Sequence, residues 1–122
     1  AESVTITDKE KNIILMNKDG VVVKANKEKN IILMSKDGIK ITDDTNKNSI
    51  EMGSGGIVIK AEKDVKINAQ NIKQEAQSAI EQKAGPATIK LGASGIEQSG
   101  GSGSVKIGAS GVDIQGPMVK IS

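Results

Sequence analysis

The chain has 122 residues, 17 Lys+Arg against 15 Asp+Glu for a net charge of +2, 14 glycines, and no Phe, Tyr, Trp, Cys or His. Without aromatic side chains a single chain of this length lacks the usual material of a globular core, and without cysteine it can form neither a disulfide staple nor a thiolate metal site. Interspersed charges with no stacking aromatics argue against nucleic-acid binding, and no segment reads as a membrane-spanning helix or a signal peptide.

The chain begins at Ala1 and not at Met, as expected of a piece of a longer protein. The stretch "KEKNIILMNKDGVVV" (residues 9–23) returns 18 residues later as "KEKNIILMSKDGIKI" (27–41), and 11 of the first 12 positions are identical. A third, degenerate copy keeps Lys47, Asn48, Ile50 and Met52, then Gly56, Ile57 and Ile59. Aliphatic residues two apart survive, while the residues between them drift, as from Leu33 to Glu51. That is the period of a β-strand with one apolar face. The inward set in this half is Ile14, Met16, Val21, Val23, Ile32, Met34, Ile39, Ile41, Ile50, Met52, Ile57 and Ile59, with the other face free to be Lys, Glu or Thr.

Further along, the apolar–polar–apolar triplets Val65-Lys66-Ile67, Ile89-Lys90-Leu91, Val105-Lys106-Ile107, Val112-Asp113-Ile114 and Val119-Lys120-Ile121 predict more strands of the same kind. They add Val65, Ile67, Ile89, Leu91, Val105, Ile107, Val112 and Ile114 to the inward set. "IKLGASGIEQSG" (89–100) recurs as "VKIGASGVDIQG" (105–116), and a glycine precedes the strand-opening aliphatic at Gly20, Gly38, Gly56, Gly95 and Gly111. Residues 72–83, "IKQEAQSAIEQK", have helix-forming composition. Strand is the preferred reading there, because the flanking repeats are strands. The expectation is one all-β domain over 1–122, with 18-residue repeats at 9–62, shorter repeats at 63–122, and about 14 strands that at about 4.8 Å per level make a rod on the order of 70 Å long.

Short strands with tight glycine corners are the signature of a β-helix. One chain coiled on two or three small aliphatics per strand encloses very little, whereas three chains wound about one axis bring all their Ile, Val and Met side chains together and pair one another's backbones. The predicted fold is therefore an intertwined triple-stranded β-helix, a homotrimeric needle whose isolated chains are largely unfolded. The stretches "GIVIKAEKDVKINAQNIKQEA" (56–76) and "IGASGVDIQGPMVKIS" (107–122) carry a resemblance: the chain resembles the C-terminal spike of VgrG proteins of type VI secretion systems, and is similar to the needle of contractile-tail phage baseplates.

The resemblance implies a spike that crosses a target membrane transiently. It implies hub domains of the same protein and a tail-tube protein beyond the N-terminal end, and a PAAR-type tip protein on the blunt C-terminal end. It further implies assembly in the bacterial cytoplasm followed by delivery outside or into a target cell; a phage virion tail is the alternative. Nothing here matches the family's N-terminal base and hub, so the chain corresponds to the needle alone. Self-tipped phage spikes bind their metal with histidines, and this chain has none. The tip-docking candidates are Met118, Val119, Lys120, Ile121 and Ser122, where three copies would end the tube in a small apolar surface.

No cofactor, metal or catalytic residue is expected. "TDDTNKN" (42–48) offers oxygen ligands but lacks the central glycine and the glutamate of an EF-hand loop, so it reads as a solvated turn. The glycine- and serine-rich stretch at 100–104 has Ser104 where a calcium-binding β-roll needs Asp. With no His or Cys there is no usual triad or zinc site. Met16, Met34 and Met52, spaced by 18, read as core filling, with a thioether ladder left open. The second function in view is a monomeric β-solenoid binding module of an adhesin or surface protein, which solution mass distinguishes from the spike.

Overall fold

The alternating stretches become strands, and the glycine-bearing segments between them become corners. The computed structural model describes residues 2–122, and among these it contains twelve short strands and no helix. The chain divides into two compact units, residues 1–68 and 69–122. Unit one holds β1 (Val4–Thr7), β2 (Ile13–Asn17), β3 (Gly20–Ala25), β4 (Asn30–Ser35), β5 (Gly38–Asp43), β6 (Asn48–Gly53) and β7 (Gly56–Lys60). Unit two holds β8 (Ala79–Ala84), β9 (Ala87–Gly92), β10 (Gly95–Gly100), β11 (Gly103–Gly108) and β12 (Gly111–Gln115).

Each unit is one antiparallel meander, with every strand paired to its neighbours in sequence. The ladder bonds therefore run within the chain, where the sequence reading had placed them between chains. Local chemistry explains the choice. Two-residue corners such as Lys18-Asp19, closed by the pair Asn17↔Gly20, and Lys36-Asp37, closed by Ser35↔Gly38, join antiparallel strands directly. The single mismatch among the first 12 residues of the two copies falls on Asn17 and Ser35. Both do the same work: Asn17 Oδ1 accepts from the Asp19 N–H at 2.9 Å and Ser35 Oγ accepts from the Asp37 N–H at 3.2 Å.

The alternate corners of the first sheet are longer and are held by carboxylates. Asp8 Oδ1 accepts from the N–H groups of Glu10 and Asn12 at 3.0 and 2.8 Å, and Asp43 Oδ1 accepts from the Asn46 N–H at 3.2 Å. The middle long corner has Ala25 where the third has Asp43. There Asn26, Lys27 and Glu28 all take positive φ, 54°, 54° and 64°.

The sequence reading needs four corrections here. Val65-Lys66-Ile67 and Val119-Lys120-Ile121 have the parity of strands but lie in none, because no neighbouring strand of the chain pairs with them. The strand reading of 72–83 holds only from Ala79 onward, and residues 61–78 form neither strand nor helix. The strands number twelve among the described residues, where about 14 were expected. Finally, β2 to β4 are apolar on both faces: Leu15, Val22 and Leu33 stand in one cross-strand row on the second face, which turns polar only at Lys40 and Glu51.

Candidate functional site

The register turns the inward set into rows. In the first sheet one row runs Val4–Met16–Val21–Met34–Ile39–Met52–Ile57 and a second runs Ile6–Ile14–Val23–Ile32–Ile41–Ile50–Ile59, across all seven strands without a polar residue. In the second sheet Ile80–Leu91–Ile96–Ile107–Val112 form one row, and Gln82–Ile89–Gln98–Val105–Ile114 form the next, with two glutamines in it. Side chains two apart on a strand share a face, so each sheet has one face built from these pairs of rows. Val4, Ile6, Ile80 and Ile96 belong to the rows although the sequence reading left them out. Their signals were present: Val4-Thr5-Ile6 is another apolar–polar–apolar triplet, and Ile96 follows a corner glycine.

Nothing in the chain covers these faces. No described residue is buried, and Ile32 and Ile41, with strands on both sides, are still 40% and 39% exposed. The accessible surface is 10494 Å². A folded monomer of 12.7 kDa is expected to expose about 6,200 Å². The surplus of roughly 4,000 Å² is the size of an obligate protein–protein interface.

The opposite face of the second sheet is ionic. Glu81, Lys90, Glu97, Lys106 and Asp113 lie in one cross-strand row of alternating sign. Lys106 Nζ comes within 3.9 Å of Glu97 Oε1. Beside this row, the Thr88 and Ser99 hydroxyls share a hydrogen bond of 2.8 Å.

The other sequence candidates fall as follows. Val65 and Ile67 stand outside the strands; Val65 borders the first sheet's aliphatic face where Ile32, Ile41, Ile50 and Ile59 form a concavity. That concavity is open and continues the rows, so it is a stretch of the face and not a separate ligand pocket. Met118 to Ser122 are exposed and in no strand, with Met118 at 81% and Ile121 at 92%. Met16, Met34 and Met52 share a row but alternate with Val21 and Ile39, which sets consecutive methionines two strands, about 10 Å, apart. A continuous thioether ladder is thereby ruled out.

The acidic turns use their carboxylates internally. Hydrogen bonds from the Asn12 backbone and side chain hold the Asp8 carboxyl below its ordinary pKa. The Asn46 side-chain amide, 2.7 Å from Asp43 Oδ2, and then the Asn46 backbone do the same for Asp43. Asp44 pairs with Lys47 at 3.2 Å. Among the described residues no group of three or more acidic side chains is placed to hold a metal ion.

The model of a family described as "Uncharacterized protein conserved in bacteria (DUF2345)" matches residues 1–118. Neither the search of curated proteins nor that of solved structures returned a match.

Proposed function

The chain belongs to the DUF2345 family of conserved bacterial domains, and on that premise we propose that it is a non-enzymatic structural spike, assembled as a homotrimer through its aliphatic faces. One observation carries the reading: two seven-strand rows of Ile, Val and Met stand uncovered in a chain with no buried residue. Apolar surface on this scale does not persist in water, because each Val, Leu or Ile side chain withdrawn from it contributes roughly 1.5–3 kcal/mol. Three copies facing a common axis supply the cover, while the outer side keeps the charged ladder.

The family occurs in VgrG C-terminal regions, which supports placing the spike in a type VI secretion or phage-like contractile injection machine. In that setting the trimer assembles in the bacterial cytoplasm, is driven through a target envelope and leaves the cell that made it. Its N-terminal end continues into hub domains and a tail-tube protein, and residues 118–122 dock a PAAR-type tip. Rigidity is the function: ladder-paired backbones and a surface of mixed charge that does not adhere to what it passes.

The test is the mass of the purified chain by sedimentation equilibrium. Three chains of 12.7 kDa, about 38 kDa, are expected. A folded particle of 12.7 kDa overturns the spike and favours a monomeric surface-binding module. For the tip, deleting residues 116–122 should leave the trimer intact and abolish pull-down of a PAAR-type protein.

A further inference from the structure

Between β7 and β8 the chain runs through residues 61–78 without joining any ladder. Among the described residues no backbone–backbone hydrogen bond involves this stretch, and its one tie to a strand is the Glu62 N–H donated to Asn48 Oδ1 at 3.1 Å. Eighteen residues without secondary structure are unusual in a compact domain and belong mostly to linkers or to functional segments.

The composition is not that of a flexible linker, which would be rich in glycine and serine. From Gly56 to Gly85 there are 85 − 56 − 1 = 28 consecutive residues with neither glycine nor proline, the longest such run in the chain. Every two-residue corner of the two meanders contains or adjoins a glycine, so this run is written without tight corners. Val65, Ile67 and Ala69 alternate with polar residues, and Val65 and Ile67 are 59% and 67% exposed. The pattern is that of a strand with one face to bury and no partner within its own chain.

We propose that residues 61–78 are where separate copies of the chain interlock, the stretch from each copy pairing as a β-strand with the same stretch of its neighbours; this rests on the trimeric reading above. Winding is then confined to the middle of the chain, while the meanders on either side meet only through side chains. A second copy fits better than an unrelated partner. The aliphatic rows on both sides already require further copies, each of which brings its own 61–78. The stretch is also self-complementary in charge, with Glu62, Asp64 and Glu75 against Lys63, Lys66 and Lys73.

Hydrogen–deuterium exchange of the purified chain, with its mass measured in the same buffer, tests this. The expected result is a particle of three chains in which amides of 61–78 exchange at least 100-fold more slowly than in an unstructured peptide. A trimer whose 61–78 amides exchange freely overturns the interlock and leaves the spike standing. A monomer overturns both. Lys66→Pro removes one donor from the stretch and is expected to lower the assembled fraction at least tenfold while the strand signal of both meanders persists; unchanged assembly also overturns the proposal.

Discussion

A Cβ built on Gly38 falls 1.9 Å from the carbonyl oxygen of Met52 on the neighbouring strand β6, whereas one built on Gly56, at the same point of the edge strand β7, meets nothing within 4 Å. Both glycines have positive φ, +134° and +107°, so both resist any side chain; only Gly38 adds a backbone collision. Gly38→Ala is expected to destabilise the fold by roughly 3–5 kcal/mol and Gly56→Ala by roughly 1–3 kcal/mol. Chemical denaturation of the two variants measures the difference, and equal losses would show that the interstrand approach is not the constraint.

Ile57 and Val58 are adjacent on β7 but belong to opposite faces, Ile57 in the row of Met52 and Val58 opposite Glu51. In the proposed trimer Ile57→Lys brings three like charges together in an apolar interior, where each unpaired charge costs several kcal/mol. Because Ile57 is 70% exposed in the single chain, the intrachain meander should tolerate the change. Sedimentation is expected to show Ile57→Lys as monomer and Val58→Lys with the parent mass. The same mass for both variants would mean that the assembly face has been assigned to the wrong side.

Lys106 stands between Glu97 and Asp113 in the charged ladder. Lys106→Glu places three acidic groups in neighbouring cross-strand positions, which is expected to cost about 1 kcal/mol at low salt. These groups are exposed, so raising the ionic strength to about 1 M, where the screening length is about 3 Å, should restore most of the loss. Thermal melts at two salt concentrations read this out, and a loss insensitive to salt would point to packing instead of charge.

Asp8 and Asp43 are held below their ordinary value of 3.8 by the turn hydrogen bonds they accept. A carboxyl with a lowered folded pKa contributes stability above its unfolded value and loses it as pH falls through the folded one. The long corners of the first sheet should therefore weaken below about pH 4. Carboxyl titration by NMR is expected to give midpoints below 3.8 for both groups, and Asp43→Asn should remove the acid dependence of its own corner without affecting that at Asp8. Midpoints at or above 3.8 would mean that these turn bonds do not persist in solution.

Much of this protein is legible from alternation alone. Successive Cβ atoms on a strand point to opposite sides, so the spacing of Ile14 and Met16, Ile32 and Met34, or Ile39 and Ile41 is enough to assign strand and face together, and the glycines mark the corners. Partner choice was not legible, because parity is a local property and a hydrogen-bond partner is not. The triplet Val119-Lys120-Ile121 has the same alternation as Val112-Asp113-Ile114, yet only the second finds a neighbouring strand, β11, to complete its ladder. The tertiary structure decided that each strand pairs with its sequence neighbour, since a two-residue corner closes an antiparallel pair at small entropic cost. It also decided that residues 61–78, which have strand-like parity but no corner to fold them back, find no partner in their own chain.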